Sequence, residues 1–261
     1  MVPSLFKAVW QYRGFILGSV KREFQSKYRN SLLGAAWTVI NPLVYTVIFS
    51  QVMRAKLPGV DSTFAYSIYL CAGILTWGLF AEIVGRAQNT FLENANLLKK
   101  LSFPRLSLPV IVVTNALLNF AIIFGLFTGF LVVTGNFPGI VYVALLPVLI
   151  ILTAFAIGLG ITLGVLNVFF RDVGQFFGIF LQFWFWLTPI VYPASILSEG
   201  IAGVIDYNPM TSIVTACQGI LVNQQWPEWK TLWPVTLLAM LLWILGFRLF
   251  RRRAGEMVDE L

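Results

Sequence analysis

Long apolar runs alternate with short polar or basic segments along the whole chain. About 20 apolar residues cross about 30 Å of hydrocarbon as a helix. Six runs approach or exceed that length: 33–53, 65–86, 107–134, 141–169, 173–191 and 231–250. The third and fourth are long enough to tilt. A seventh apolar stretch, 196–222, is interrupted by Glu199, Asp206, Asn208 and Pro209. It predicts a folded-back segment rather than a crossing, because irregular backbone persists at membrane depth only where protein or water covers it. Ahead of the first run, Phe6, Val9, Trp10, Ile16, Val20, Phe24 and Tyr28 follow helical spacing, with basic residues between them. This predicts an amphipathic helix over residues 1–30 lying in the membrane interface. The alternative is a helix packed beneath the bundle. The same segment lacks the continuous apolar core and small-residue cleavage site of a signal peptide.

The expected fold class is therefore all-α integral membrane protein. It has six transmembrane helices, an N-terminal amphipathic interface helix, a short cytoplasmic helix between the second and third spans, and a re-entrant or interfacial hairpin after the fifth. One domain covers residues 1–261, with the bundle at 31–250 and a cytoplasmic tail at 251–261. Composition agrees: 58% of residues are hydrophobic and only 11% charged, with a mean hydropathy of +0.82. A soluble domain carries about 25% charged residues, so lipid must be the main solvent. Fifteen of the 18 Lys and Arg residues fall before the first run, between the second and third, between the fourth and fifth, and after the sixth, counting Arg86 and Arg248 at the adjoining run ends. Arg54, Lys56 and Lys230 fall on the other side. The positive-inside rule then places both termini in the cytoplasm. The net charge of +7 reads as topology and contact with lipid headgroups, and no nucleic-acid partner is expected. Gly125/Gly129, Gly160/Gly164 and Gly174/Gly178 form three small-xxx-small pairs, which let helix backbones approach closely.

Catalytic chemistry is missing. The chain has no histidine, and its two cysteines, Cys71 and Cys217, have no neighbouring partner in sequence. No metal site, bound cofactor or catalytic residue is expected. No phosphate-binding G-x-x-x-x-G-K-[ST] occurs. Glu82 lies within a span, four residues before Arg86, the favourable order for a helical ion pair. Asp172 serves the short turn after Arg171. The sequence thus describes a path without a motor, and a separate ATPase must supply the work. The longest cytoplasmic loop, 87–105, is the place to receive it. Residues 89–101 predict a short helix with Phe91, Leu97, Leu98 and Leu101 as apolar contacts, ended by Pro104. Such a face needs a groove to dock in, unless the helix simply lies in the interface under the bundle.

The segment Lys27-Tyr28-Arg29-Asn30-Ser31-Leu32-Leu33-Gly34, followed by Trp37 and Asn41-Pro42-Leu43, resembles the opening of bacterial ABC transporter permeases that export polysaccharide. The stretch from Asn96 through Lys99, Lys100 and Leu101 to Pro109 is similar to their cytoplasmic coupling segment. The resemblance covers essentially the whole chain. It implies a permease in the bacterial inner membrane, working as a homodimer with two cytoplasmic ATPase subunits that carry ATP and Mg. The cargo it implies is a lipid-linked polysaccharide of the O-antigen type. Residues 4–29 would be the interface helix, with Lys27, Tyr28, Arg29, Gly34, Trp37, Asn41 and Pro42 as its motif. Residues 90–101 would be the coupling helix, with Phe91, Asn94, Leu97, Leu98, Lys99, Lys100 and Leu101 meeting the ATPase. Residues 192–226 would be the re-entrant segment.

A sugar path finds some physical support of its own. Sugar rings present apolar C–H faces that suit aromatic rails. Trp37, Tyr45, Trp77, Phe176, Phe180, Phe183 and Trp184 are candidates for the channel lining. For each of them, an ordinary core or lipid-facing aromatic is the alternative. Two other activities stay open at this point. One is an ABC permease for capsule, teichoic acid, a drug or a lipid. The other is a membrane-embedded sugar transferase, which would need an acidic or histidine cluster that the scattered Glu82, Glu93 and Asp172 do not make.

Overall fold

A computed structural model describes residues 10–29, 64–100, 105–193 and 199–260, together with the isolated positions 40, 44 and 48. Every regular element among the described residues is helical. The first is α1 (Arg13–Arg29). Next come α2 (Ala65–Ala87) and two short helices, α3 (Thr90–Glu93) and α4 (Ala95–Lys100). Then follow α5 (Ser107–Val133), a 3-10 turn (Gly139–Ala144) running directly into α6 (Leu145–Phe169), and α7 (Asp172–Trp186). The chain ends with α8 (Glu199–Asp206), α9 (Pro209–Val222), α10 (Trp229–Arg253) and α11 (Glu256–Glu260).

Four of these are long and apolar enough to span a bilayer: α2, α5, the 3-10 turn with α6, and α10. At 1.5 Å per residue even α2, with 23 residues, reaches about 34 Å. They match four of the six expected runs to within a few residues. The expected first span, 33–53, lies outside the described residues apart from positions 40, 44 and 48. The fifth differs from expectation. Helix α7 has 15 residues, about 22 Å, and stops at Trp186 although the apolar run continues to Val191. Thr188 and Pro189 explain the stop: the chain turns there, and proline cannot donate to a continuing helix.

Helix α2 is the hub. Two thirds of its apolar stretch is buried, against a third or less for the other three long helices. It packs on α5, α6 and α9. Phe80 is fully buried and stacks on Phe155 of α6 at 5.4 Å. Around that pair lie Leu70, Leu79 and Ile83 of α2, Leu152 of α6, and Met210, Ile213 and Ile220 of α9. Helix α10 lies closely along α6. A Cβ on Gly158 would meet the Trp243 backbone at 3.0 Å, and one on Gly246 would meet Thr162 Oγ1 at 2.9 Å. The Trp243 indole N–H donates to the Ala154 carbonyl at 2.7 Å, which satisfies a polar group that lipid could not.

The small-residue pairs separate into two kinds. Gly160 and Gly164 are seats: a Cβ would lie 2.6 Å from Ala87 Cβ and 2.7 Å from the Ala87 carbonyl, respectively. Gly125 and Gly129 have open space where a Cβ would go, as does Gly178.

The apolar stretch expected to fold back forms two helices, α8 and α9, separated by Tyr207 and Asn208. Asn208 caps α9, accepting from the Met210 N–H at 3.0 Å, with Pro209 in the first helical position. Both choices satisfy or remove donors that a helix start leaves over.

Candidate functional site

Three regions carry the residues singled out by sequence: the N-terminal helix, the 88–100 segment and α7.

Helix α1 lays Ile16 and Val20 against Ile111 and Val110 of α5. Ile16 and Val20 of the predicted apolar face thus pack on the bundle, whereas Trp10 of the same face does not. Trp10 and Leu17 remain exposed, at 71% and 62%, with the Arg13 guanidinium 5.4 Å from the Trp10 ring centre. Glu23 pairs with Arg86 of α2 and accepts from the Asn115 amide of α5 at 2.6 Å. Arg86 also approaches Glu82 at 3.7 Å, so the expected helical pair is present and is part of a larger set. Glu82 in turn accepts from the Asn119 amide at 2.9 Å. One arginine thus serves two carboxylates drawn from two helices. Lys27, Tyr28 and Arg29 form the last turn of α1. Gly34, Trp37, Asn41, Pro42 and Tyr45 lie outside the described residues.

The 88–100 segment is not one helix but two, broken at Asn94, whose side-chain amide turns back to the Thr90 carbonyl at 2.8 Å. Its apolar side chains face the bundle, which corrects the expectation that Phe91 and Leu98 form a docking face for a partner. Phe91 is fully buried and stacks on Phe250 of α10 at 5.8 Å. Leu98 is buried in the same cluster with Ile161, Val165 and Val168 of α6 and Met257 of α11, and Leu97 packs at its edge. The groove that the apolar face needed belongs to this chain. What points outward is polar: Glu93, Asn96 and Lys99 are exposed at three-residue steps along one face. Asn94 is half-buried. Lys100 closes α4, and Leu101 lies outside the described residues.

Helix α7 presents a continuous exposed stripe of Gln175, Phe176, Ile179, Gln182, Phe183 and Trp186. Phe176 stacks on Phe180 at 6.3 Å. Phe176, Phe180 and Phe183 thus lie on or beside the open face. Trp184 and Trp77 do not, which corrects their place in the candidate lining. Trp77 is buried and meets Trp184 edge-on at 6.1 Å. Trp184 also packs on Phe80 and Phe155. Both tryptophans build the core behind the stripe. Gln175, Gln182 and Trp186 share this open face but are not among the candidates read from sequence. Their signal was legible as two glutamines seven residues apart on one face of an apolar helix, where lipid offers an amide no partner.

Beyond Trp186 the chain turns through residues 187–192, and α2 and α9 hold that turn. Tyr66 donates to the Val191 carbonyl at 2.8 Å, and Tyr69 reaches the Pro189 and Tyr192 carbonyls at 3.0 and 2.9 Å. The buried Gln218 amide donates to the Pro189 carbonyl at 3.3 Å. The Tyr192 hydroxyl donates to the Trp186 carbonyl at 2.7 Å. Side chains from α2 and α9 thus supply hydrogen-bond partners to this non-helical backbone. Among the described residues no three His, Cys, Asp or Glu side chains come together in a way that would hold a metal.

Long apolar helices, an exposed face on one short helix and polar staples at its turn define a multi-span helical membrane protein. The chain belongs to the ABC-2 type transporter family, whose model matches residues 16–222. It is 30% identical to the O-antigen export system permease protein RfbA of Myxococcus xanthus over 98% of this chain and 99% of that one. It is 31% identical to a protein of the same name from Klebsiella pneumoniae, over 77% of this chain and 78% of that one.

Proposed function

We propose that this chain is the transmembrane subunit of an ATP-driven exporter that moves a lipid-linked polysaccharide of the O-antigen type from cytoplasm to periplasm. The observation that carries this reading is the end-to-end similarity to an O-antigen export permease. ATP and Mg belong to a separate cytoplasmic ATPase, and this chain supplies the path. It sits in the inner membrane with both termini cytoplasmic, a reading that the fifteen-to-three split of basic residues supports under the positive-inside rule. Six crossings are completed by 33–53 and by α7 with the turn after it. Helices α8 and α9 are the re-entrant segment on the periplasmic side.

Two copies and two ATPase subunits make the working assembly. The α7 stripe supports a path between copies. Phenyl and indole faces suit the C–H faces of sugar rings, and the Gln175 and Gln182 amides can exchange hydrogen bonds with hydroxyls. A small apolar drug would leave those amides unsatisfied, at a cost of about 1–3 kcal/mol each, so the stripe favours glycan over that alternative.

The 88–100 segment is the coupling element, with its two faces divided. Phe91 and Leu98 fix it to the bundle, and Glu93, Asn96 and Lys99 meet the ATPase. Co-purification of the ATPase with tagged variants tests this. Reversing Lys99 and replacing Asn96 with a bulky acid should weaken capture at least tenfold while the permease stays folded. Full capture by that double variant would remove the segment from the ATPase interface.

A further inference from the structure

Helix α7 is held differently from the long helices. Only Gly174 and Leu181 of its 15 residues are fully buried, and Val173, Phe177, Trp184 and Phe185 are the partly buried side chains through which it packs on the core. At its first turn, however, it meets a fully engaged asparagine. Asn167, in the last turn of α6, is 1% exposed. Its Oδ1 accepts the Gly174 N–H at 2.9 Å, one of the helix-start donors that have no acceptor within their own helix. Its Nδ2 donates to the Gln88 carbonyl at 2.9 Å and to Asn89 Oδ1 at 3.1 Å. Gln88 and Asn89 are the two residues that lead into α3. The fit requires glycine on the α7 side, because a Cβ at position 174 would lie 2.5 Å from Asn167 Nδ2.

One side chain therefore joins the start of the 88–100 segment to the start of the helix that carries the exposed aromatic and glutamine stripe. We propose that Asn167 is a positioning residue for transport, transmitting movement of the 88–100 segment to α7. This rests on the coupling role proposed for that segment. Coupling passes through contiguous contacts when the receiving element is free to take a second arrangement. Helix α7, tied by Asn167 at its start and by the Trp184–Asn208 bond at its end with few fully buried residues between them, is the element placed to receive that movement. Phe91 and Leu98 seat the segment in a cluster with α6, α10 and α11 that includes no buried residue of α7.

The test uses the full permease with its ATPase, in cells lacking the chromosomal copy. Surface polysaccharide is stained and normalised to the complex captured through the ATPase, and ATP hydrolysis is measured on that purified complex. Asn167→Ala and Asn167→Leu should assemble and hydrolyse ATP within about twofold of wild type, while normalised export falls tenfold or more. Gly174→Ala should reproduce the loss with Asn167 present. The Asn167→Ala/Gly174→Ala double variant should be no worse than either single change, because both cut the same tie. Should the position 167 variants fail to assemble, Asn89→Ala removes one of the three bonds and should lower normalised export three- to fivefold. Normalised export within twofold of wild type in the assembled variants overturns the proposal. So does a loss of export that only tracks the loss of complex, or multiplied losses in the double variant. Failure of the wild-type chain to capture an ATPase at all strikes instead at the coupling role of the 88–100 segment.

Discussion

The indole N–H of Trp184 donates to Oδ1 of Asn208 at 2.8 Å, joining the end of α7 to the start of α9. The same Asn208 amide donates to the Leu187 carbonyl and to Thr188 Oγ1, at 3.1 and 3.0 Å, and its Oδ1 also caps α9. A single carboxamide thus closes the corner around the 187–192 turn. Asn208→Ala should destabilise the protein by about 1–2 kcal/mol from the lost cap alone, seen as a lower unfolding temperature in detergent. Asn208→Ser keeps a side-chain acceptor for the helix start and should lose less. Equal losses in the two variants would deny the cap its role.

The two faces of the 88–100 segment make opposite predictions. Phe91→Ala opens a cavity against Phe250 and should cost about 3–5 kcal/mol. Lys99→Glu changes an exposed site and should leave stability within about 0.5 kcal/mol. Thermal unfolding of the two variants side by side checks the assignment of inner and outer faces.

That division was not legible in the sequence. The spacing of Phe91, Leu97 and Leu98 showed an apolar face, but periodicity cannot say whether the groove that receives it belongs to the chain or to a partner. The four long apolar helices were legible almost to the residue, because hydropathy over 20 positions reports the solvent directly. The end of α7 was not. Leu187, Ile190 and Val191 are as apolar as the helix before them, and the turn they make depends on Tyr66, Tyr69 and Gln218, far away in the chain. Asn208 was visible as an interruption of an apolar stretch, whereas Asn167 sat unremarked within the run 141–169, and the partners of both are set by tertiary contacts alone.

The glycine pairs separate by what lies opposite them. Gly164→Ala drives a Cβ toward the Ala87 carbonyl at 2.7 Å and should cost about 1–3 kcal/mol through overpacking. Gly125→Ala enters open space and should be neutral or stabilising by up to about 1 kcal/mol through helix propensity. Unfolding temperatures of the two alanine variants, measured in the same detergent, give the contrast.

The pairing of Glu23 with Arg86 ties α1 to α2, and Asn115 brings in α5. Both charged side chains are about a third or more exposed, so solvent screens the pair. A double-mutant cycle on Glu23→Gln and Arg86→Gln should return a coupling of about 0.2–1 kcal/mol, smaller at 1 M salt than at 0.1 M. A coupling that does not change with salt would mean that the contact is packing rather than charge.

Glycan export is tested most directly by deleting the gene and staining the cell surface for polysaccharide, with lipid-linked chains assayed inside. Loss of the surface polymer together with intracellular accumulation of lipid-linked chains, both reversed by the wild-type gene, is the expected result. A normal surface coat on the deletion strain would contradict it.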